Sequence, residues 1–568
     1  MAYIVKQKIK GKVYIYRAEN IYRHELKQSR QERVYLGTLE SDGSLMSGKD
    51  NEALSEDDKK LLAKAGVKFK DGAKRERLRC KCGAKLVEGR CSSCAGTING
   101  VERLGVAHVF KTLSDESGLT NALKESFGVK DGDALLSLAI HRAATGKPLY
   151  AAEAWLEGRS LTPPDFDFSS GNLSRFTREI GGMSEGRSAF LAHWADACGK
   201  PANLICDITS ISSHSERLSL VEWGYNRDEE SLPQINLAMV SDAKTGRPVA
   251  YRLLPESVPG VSTLSVTSEQ LGAAGLDKFS FSLDKGFYSA ANLSRMIESQ
   301  IGFVIGVPLS LSQAQRLASR HFAAMRSGKR SFLWNDRRMR YAKCSIDVKL
   351  RNGGKATVPA HLYYEPARAA DQCANFEKRV LLLERKSADD RICCRKEAKI
   401  WLEENARSLA HLFRIVPCGA GFSVERKPNA VAKAMKFMGF TLVATSNPDL
   451  DRAAALSAYR SRDKAEKLFD LLKNEIDQRR LGTGDDSAAE GRMFLSFLAL
   501  ALRSELEIRM RESALLRSSS ADELLTEMDK ICSVKLSDGR HILLEITRKQ
   551  REFLHKIGVN PPQIPQGY

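Results

Sequence analysis

The sequence has no run of about 18 apolar residues, so it offers no helix able to span a bilayer. Cysteine is sparse, 12 in 568 residues. That is too few for a secreted disulfide framework, and most are expected as reduced thiols. The start, MAYIVKQKIKGK, lacks the apolar core of a signal peptide, so a cytoplasmic location is expected. No internal repeat or low-complexity tract is visible. Acids are in deficit, 70 Asp+Glu against 88 Lys+Arg, giving a formal charge of +18. The chain as a whole, 42% hydrophobic and 28% charged, has an ordinary folded composition rather than a disordered one. The length suggests about three to four domains at roughly 150 residues each. So large a positive charge points to a polyanionic partner, usually nucleic acid.

Residues 1–45 alternate basic and apolar side chains (Tyr3, Val5, Ile9, Val13, Ile15, then Val34, Tyr35, Leu36), with Gly11 between runs. This is the pattern of a small antiparallel sheet, whose basic face is either solvated or a DNA-contacting element. A polar, acidic stretch at 45–62 reads as a linker or an exposed helix. Residues 75–100 carry RCKCGAKLVEGRCSSC, in which Cys80, Cys82, Cys91 and Cys94 form two close pairs, with Gly83 and Gly96 suiting tight turns. Four thiolates so spaced predict a structural Zn²⁺ in a zinc-ribbon-like fold that could not support its own core. Free thiols are the alternative. Arg77, Arg79, Lys81, Lys85 and Arg90 surround the cysteines and suggest that this segment touches DNA.

Residues 101–200 show apolar positions at helical spacing, punctuated by Pro163, Pro164 and Gly182. They predict a helical DNA-binding or packing domain. Its segment SSGNLSRFTREIGG fits a packing helix better than a recognition helix, because such short patterns are common. From 201 the texture changes. LICDITSIS is expected as a short buried strand with an acid at its C-terminal end, and QINLAMVSDAKTGRPVAYRLLP reads as strand, turn, strand. A helix near 262–274, the strand FSFSLD, the helix SAANLSRMIESQ and the strand GFVIGVP follow. This β-β-β-α-β-α-β order predicts an α/β fold with an RNase H-like core over 201–310. Residues 311–437 read as a β-rich insertion with expected strands TVPAHLYYE, KRVLLLER, HLFRIVP and GFSVERK, preceded by a basic stretch from Arg316 to Lys343 that includes Trp334. A lone Trp there serves core packing or stacks on an unpaired base. The core resumes over 438–510 with GFTLVAT and a long helix from Asp451 to Gln478. Residues 511–568 form a C-terminal region with a strand pair in VKLSDGRHILLEI.

Two acids, Asp207 and Asp284, sit at strand ends, where ligands bind α/β sheets, and a third is sought on the 451–478 helix. Each aspartate alone also fits a turn. Together, carboxylates are hard oxygen ligands for Mg²⁺ or Mn²⁺. On a straight helix at about 100° per residue, Arg462, Glu466 and Lys473 all fall within about 60° of Tyr459. Ala465, Leu468, Phe469, Leu471, Leu472 and Ile476 make the opposite, docking face. The helix is thus expected to turn an acid, two cations and a phenol outward. Asp463, Asp470 and Asp477 share that side with Glu466, so geometry leaves the third acid open, and a solvated face of charge pairs accounts for the stripe equally well.

Tyr459-x-x-Arg462-x-x-x-Glu466-x-x-x-x-x-x-Lys473 resembles the YREK signature of a large group of bacterial insertion-sequence DDE transposases. DITS at 207–210 resembles that group's first acidic motif and DKGFYS at 284–289 its second; AAEGRMFLSFLALALR follows the signature. The resemblance covers about 200–510. It implies Asp207, Asp284 and Glu466 as ligands for two Mg²⁺ or Mn²⁺ ions, and Tyr459, Arg462 and Lys473 as DNA contacts. It implies a bacterial or archaeal, nucleoid-associated enzyme that binds transposon-end inverted repeats, cuts DNA and joins the 3′-hydroxyl ends to target DNA, acting as a homodimer on paired ends. A metal-dependent nuclease without transposition, or a decayed DNA-binding protein, are the rival readings. Acids at all three positions argue against the latter.

Overall fold

The structure is a computed structural model. It describes residues 98–563 apart from 162, 164, 216, 224–231, 256–259, 329, 391, 420 and 538, and before them 2–9, 12–23, 28–39, 44–47, 55–69, 86–87 and 90–91. Two compact units are distinguished, Met1–Ile98 with Leu536–Arg540, and Asn99–Lys535 with His541–Tyr568. Among the described residues no helix is long and apolar enough to cross a membrane.

In the first unit β1 (Ala2–Ile9), β2 (Lys12–Arg23), β3 (Gln28–Leu39) and β4 (Ser44–Ser47) pair in antiparallel order, and β5 (Lys68–Phe69) joins β4 in parallel. Between them lies α1 (Glu56–Lys64), capped by the Ser55 hydroxyl accepting from the Asp58 amide. Leu62 of α1 is fully buried with Ile15, Leu36 and Val67. The sheet expected over 1–45 therefore extends to 69, and the polar stretch read as a linker or exposed helix supplies the core's helix. One apolar face is enough to dock it. A short hairpin of β6 (Leu86–Val87) and β7 (Arg90–Cys91) follows.

The second unit begins at Asn99, inside β8 (Ile98–Arg103), and then runs as helices α2 (Gly105–Glu116), α3 (Leu119–Thr145), α4 (Ala152–Leu156), α5 (Ser170–Gly182) and α6 (Ser184–Ala197). These share one core with the sheet that follows. The α5 segment is a packing helix: Leu173, Phe176 and Ile180 are buried, and its backbone meets a later helix, α15 (Asp486–Glu512), with no room for side chains. A Cβ on Gly181 would lie 1.7 Å from the Ser487 carbonyl oxygen, and one on Gly491 1.8 Å from that of Thr177.

The element order β-β-β-α-β-α-β is the observed one: β9 (Asn203–Ser213), β10 (Gln234–Asp242), β11 (Pro248–Leu254), α7 (Gly260–Ala273), β12 (Ser280–Leu283), α8 (Ala290–Glu298) and β13 (Gly302–Val307). β11, β10 and β9 are antiparallel neighbours, while β12 is parallel to β9 and β13 to β12.

The segment 311–437 differs from the β-rich insertion expected. After α9 (Ser312–Arg326), β14 (Ser331–Trp334), β15 (Arg337–Lys349) and β16 (Lys355–Tyr364) extend the main sheet itself, through β19 (Phe440–Thr445), to ten strands. The rest is α10 (Pro366–Asp389), α11 (Arg395–Trp401), a hairpin of β17 (Phe413–Cys418) and β18 (Gly421–Arg426), and α12 (Pro428–Met435), around a separate small core. KRVLLLER, expected as a strand, is the middle of α10. A short apolar run does not separate helix from strand by itself; Pro366 in the first turn starts a 24-residue helix that buries Val380 and leaves Leu381 and Leu382 exposed. Trp334 packs against the small cluster that holds Met339, Tyr363 and Leu456, and its indole N–H donates to Ser457 Oγ at 2.8 Å.

The expected helix from Asp451 to Gln478 is interrupted twice. α13 (Arg452–Arg460) passes through a tight turn at Ser461 and Arg462 into α14 (Asp463–Asp470), and a wider turn follows over Leu471–Glu475. The docking face holds: Ala465, Leu468, Phe469, Leu471, Leu472 and Ile476 are all buried. β20 (Arg480–Leu481) then pairs with the end of β9 in parallel. Beyond α15 come α16 (Ala521–Met528), the expected strand pair β21 (Cys532–Leu536) and β22 (His541–Leu543), and α17 (Arg548–Lys556).

Candidate active site

Strand register builds the site. Cys206 of β9 is the parallel partner of Leu283 of β12, and Leu283 of Ile305 of β13. The next residues, Asp207, Asp284 and Gly306, therefore stand abreast on one face, on strands about 4.8 Å apart. Ile205, Ser282 and Val304, two residues earlier, are buried on that face. α13 and α14 cross it. α13 packs on β19, β13 and β12, and α14 on β9 and β10.

Each signature residue meets this face differently. Tyr459 is buried, 6% exposed, in a pocket with Val304, Val443, Tyr363 and Leu456. Its ring rests on Gly306, where a Cβ would come within 2.6 Å of the hydroxyl oxygen. Tyr459 thus does not point outward as expected. The turn at Ser461–Arg462 breaks the straight-helix projection, and Gly306 leaves the space. Burial raises the Tyr459 hydroxyl above the ordinary phenol range, with Arg462 opposing and Asp284 adding. Arg462 lies over the Tyr459 ring at 4.8 Å and is ion-paired with Asp284 Oδ1. Burial by itself would lower the Arg462 guanidinium, but Tyr459, Asp284, Glu466 and Asp463 outweigh it and hold it above the usual value.

Glu466 is exposed in the first turn of α14, within electrostatic reach of Arg462. α14 is fixed there by Lys464, whose Nζ donates to the carbonyl of Ala243, 2.6 Å away, and to that of Lys244 in the β10–β11 turn. Asp207 Oδ1 accepts from the Ile208 amide at 2.8 Å. Asp207 and Asp284 are thus brought together. Among the described residues no three His, Cys, Asp or Glu side chains gather closely enough to hold a metal ion, so Glu466 does not close on them in this arrangement. Two aspartates abreast still supply the hard oxygen donors that Mg²⁺ or Mn²⁺ takes. Lys473 lies in the wide turn after α14, half-buried.

A cleft of about 900 Å³ opens from Asp284, Tyr459 and Arg462 toward α10 and α12. Arg368, Arg379 and Lys433 line it and were missed from the sequence. Arg368, Gln372, Asn375, Phe376 and Arg379 repeat at helical spacing, a signal hidden by reading KRVLLLER as a strand. The end of α13 is tied to the start of α10, where the buried Glu365 accepts from Arg460 at 2.9 Å and pairs with Arg337 at 3.6 Å.

Of the other expected metal ligands, Cys80, Cys82 and Cys94 lie outside the described residues. For Cys91 the structure gives its place in β7, opposite Leu86.

A transposase DDE domain model matches residues 199–502, more than half of the chain. The chain belongs to that family. The match begins just before the strand of Asp207 and ends within α15, spanning both aspartates and the signature helix. No curated protein matches this DDE transposase. Among solved structures it is similar to a piggyBac transposase synaptic complex with hairpin DNA, at 11% identity and a TM-score of 0.32 over 82% of this chain and 84% of that one.

Proposed function

We propose that this transposase belongs to the YREK-signature group, binds the inverted repeats of its own element, cuts the DNA and joins the freed 3′-hydroxyl to target DNA. The observation that carries the reading is the Arg462–Asp284 pair above two aspartates in register. In it Asp207, Asp284 and Glu466 bind the cations, and Glu466 completes the set when DNA draws Arg462 away from Asp284. A pair of divalent ions bound there would stabilise the attacking and leaving oxygens. Arg462 and Lys473 neutralise phosphate charge, Tyr459 supports Arg462 from beneath, and Arg368, Arg379 and Lys433 hold the duplex along the cleft. Two copies act on paired ends, in the cytoplasm of a bacterium or archaeon. The test is Asp207→Asn, Asp284→Asn and Glu466→Gln on DNA carrying the element's ends. Each should lose cleavage by about 10³-fold or more while end binding and melting temperature stay near wild type. A Glu466→Gln enzyme cutting at the wild-type rate would move the third ligand to Asp463 or Asp470. Strand joining in the same assay separates a transposase from a nuclease that stops at hydrolysis.

The N-terminal cysteines belong to this reading as a structural Zn²⁺ site. The β6–β7 hairpin supports the reading in one respect: it sets Cys91 opposite Leu86, at a chain reversal of the kind a two-pair site uses. Bound zinc would cross-link the two turns, and the surrounding arginines and lysines would face DNA. Metal analysis should find about one zinc per chain, lost in Cys91→Ser together with end binding. No zinc in wild type removes the site; zinc loss with normal binding removes only its DNA role.

A further inference from the structure

A second basic cleft lies at the far end of β9. There β20 pairs with Ser212 and Ser213, and Ser213 Oγ donates to the Leu481 carbonyl at 3.0 Å. The cleft, of about 590 Å³, is lined by Arg142, Arg479, Arg480, Arg492, Tyr150 and Asp477. Among the described residues, its lining holds four arginines and one carboxylate. None of the four belongs to the signature.

The cleft is built rather than incidental. Arg142, 4% exposed, donates through Nη2 to the Ile476 carbonyl at 2.6 Å and to Gln478 Oε1 at 3.2 Å. Gln478 is itself buried and accepts from Ser496 Oγ at 2.8 Å. Arg142 Nε has no hydrogen-bond partner among the described residues. Arg492 is anchored by Nη1 donating to the Gly482 carbonyl at 2.9 Å, and Arg479 donates to Asn474 Oδ1. Burial, with the neighbouring Arg492 adding to it, pushes Arg142 down to about 10, and burial lowers Arg492 as well. Two neighbouring guanidiniums withdrawn from water, those of Arg142 and Arg492, weigh against folding unless an anion sits beside them. Arginine's fork suits bidentate phosphate contact, and the exposed Tyr150 adds a hydroxyl at the rim.

We propose that this arginine cleft grips a backbone phosphate of the same duplex that is cut at Asp207 and Asp284. The proposal rests on the transposase reading. β9 from Asp207 to Ser213 spans about 20 Å, which corresponds to roughly six base pairs of duplex. The cleft thus marks where a duplex leaving the aspartates along β9 would be held.

The test uses the full-length double variant Arg479→Ala/Arg480→Ala. Both side chains are exposed, and an unchanged melting temperature checks the fold. Anisotropy with a fluorescent duplex of unrelated sequence, over a KCl series, is compared with wild type and Asp284→Asn. The double variant should bind roughly tenfold or more weakly at low salt, with a salt slope shallower by about two ions. An unchanged slope overturns the proposal. Calorimetry with inorganic phosphate is the second arm: wild-type binding lost in the double variant, with the duplex slope unchanged, assigns the cleft to a free anion and also overturns it. Asp284→Asn separates the two readings. If that variant still cuts, the active-site assignment fails, while the salt slope continues to report on the arginines.

Discussion

Leu456 and Tyr459 of α13 pack with Val304, Val443 and Tyr363, whereas Leu468 and Phe469 of α14 enter the main core. The two helices carry one sequence signature, yet α13 buries its signature residue and α14 exposes Glu466. The turn between them, at Ser461 and Arg462, lets a single run of sequence serve first as a wedge over β13 and then as an arm over β9. Regular spacing in a signature therefore does not mean a common environment. Tyr459 is held by packing, Arg462 by charge, and Glu466 by where α14 is anchored.

That contrast is sharpest between Glu466→Gln and Tyr459→Phe. Glu466→Gln should lose cleavage by about 10³-fold or more, whereas Tyr459→Phe keeps the buried ring and should stay within about tenfold of wild type. Equal losses, measured as single-turnover cleavage, would show that the phenol hydroxyl takes part directly. Arg462→Ala and Lys473→Ala come next. Each should weaken end binding and make the salt slope shallower by about one ion; a wild-type slope in either variant would remove that residue from the DNA contacts. The smallest effect is expected at Gly306→Ala. Its methyl would press on the Tyr459 ring, at a cost of about 1–3 kcal/mol, read as a lowered melting temperature. Tyr459→Leu in the same chain should restore part of it. A melting temperature equal to wild type would mean that α13 can lift off β13 freely.

Much of this was legible in the sequence. The strand and helix order from β9 to β13 follows from apolar runs and their turns. Asp284 stands just past the end of β12, as expected, but Asp207 does not end its strand: β9 continues through it to Ser213, because the polar ITSISS stretch pairs along β10. Their pairing is a matter of register, which only the parallel alignment of β9 with β12 supplies. The docking side chains of α14 were legible because they repeat at helical spacing. The interruption at Ser461 and Arg462 was not, since neither residue is a proline or glycine and a periodic projection assumes one unbroken helix. Nor was the joining of β15 and β16 to the main sheet, because β16 finds its partner β19 across the whole helical segment from α10 to α12. Arg142 was invisible for a similar reason: its partners at Ile476 and Gln478 are more than three hundred residues away.

The glycine crossing of α5 and α15 bears on where this protein can be cut. The segment recognised as the family's domain starts at 199, after α5 and α6. Yet Phe494 and Phe497 of α15 sit against Phe190, Phe494 also against Phe127, and the Trp194 indole N–H donates to the Pro248 carbonyl at 2.9 Å. A fragment begun at 199 would keep every candidate catalytic acid and lose the wall that α15 leans on. The unit of descent and the unit of folding have different borders here, and a gene truncated to the recognised domain would encode chemistry without a scaffold.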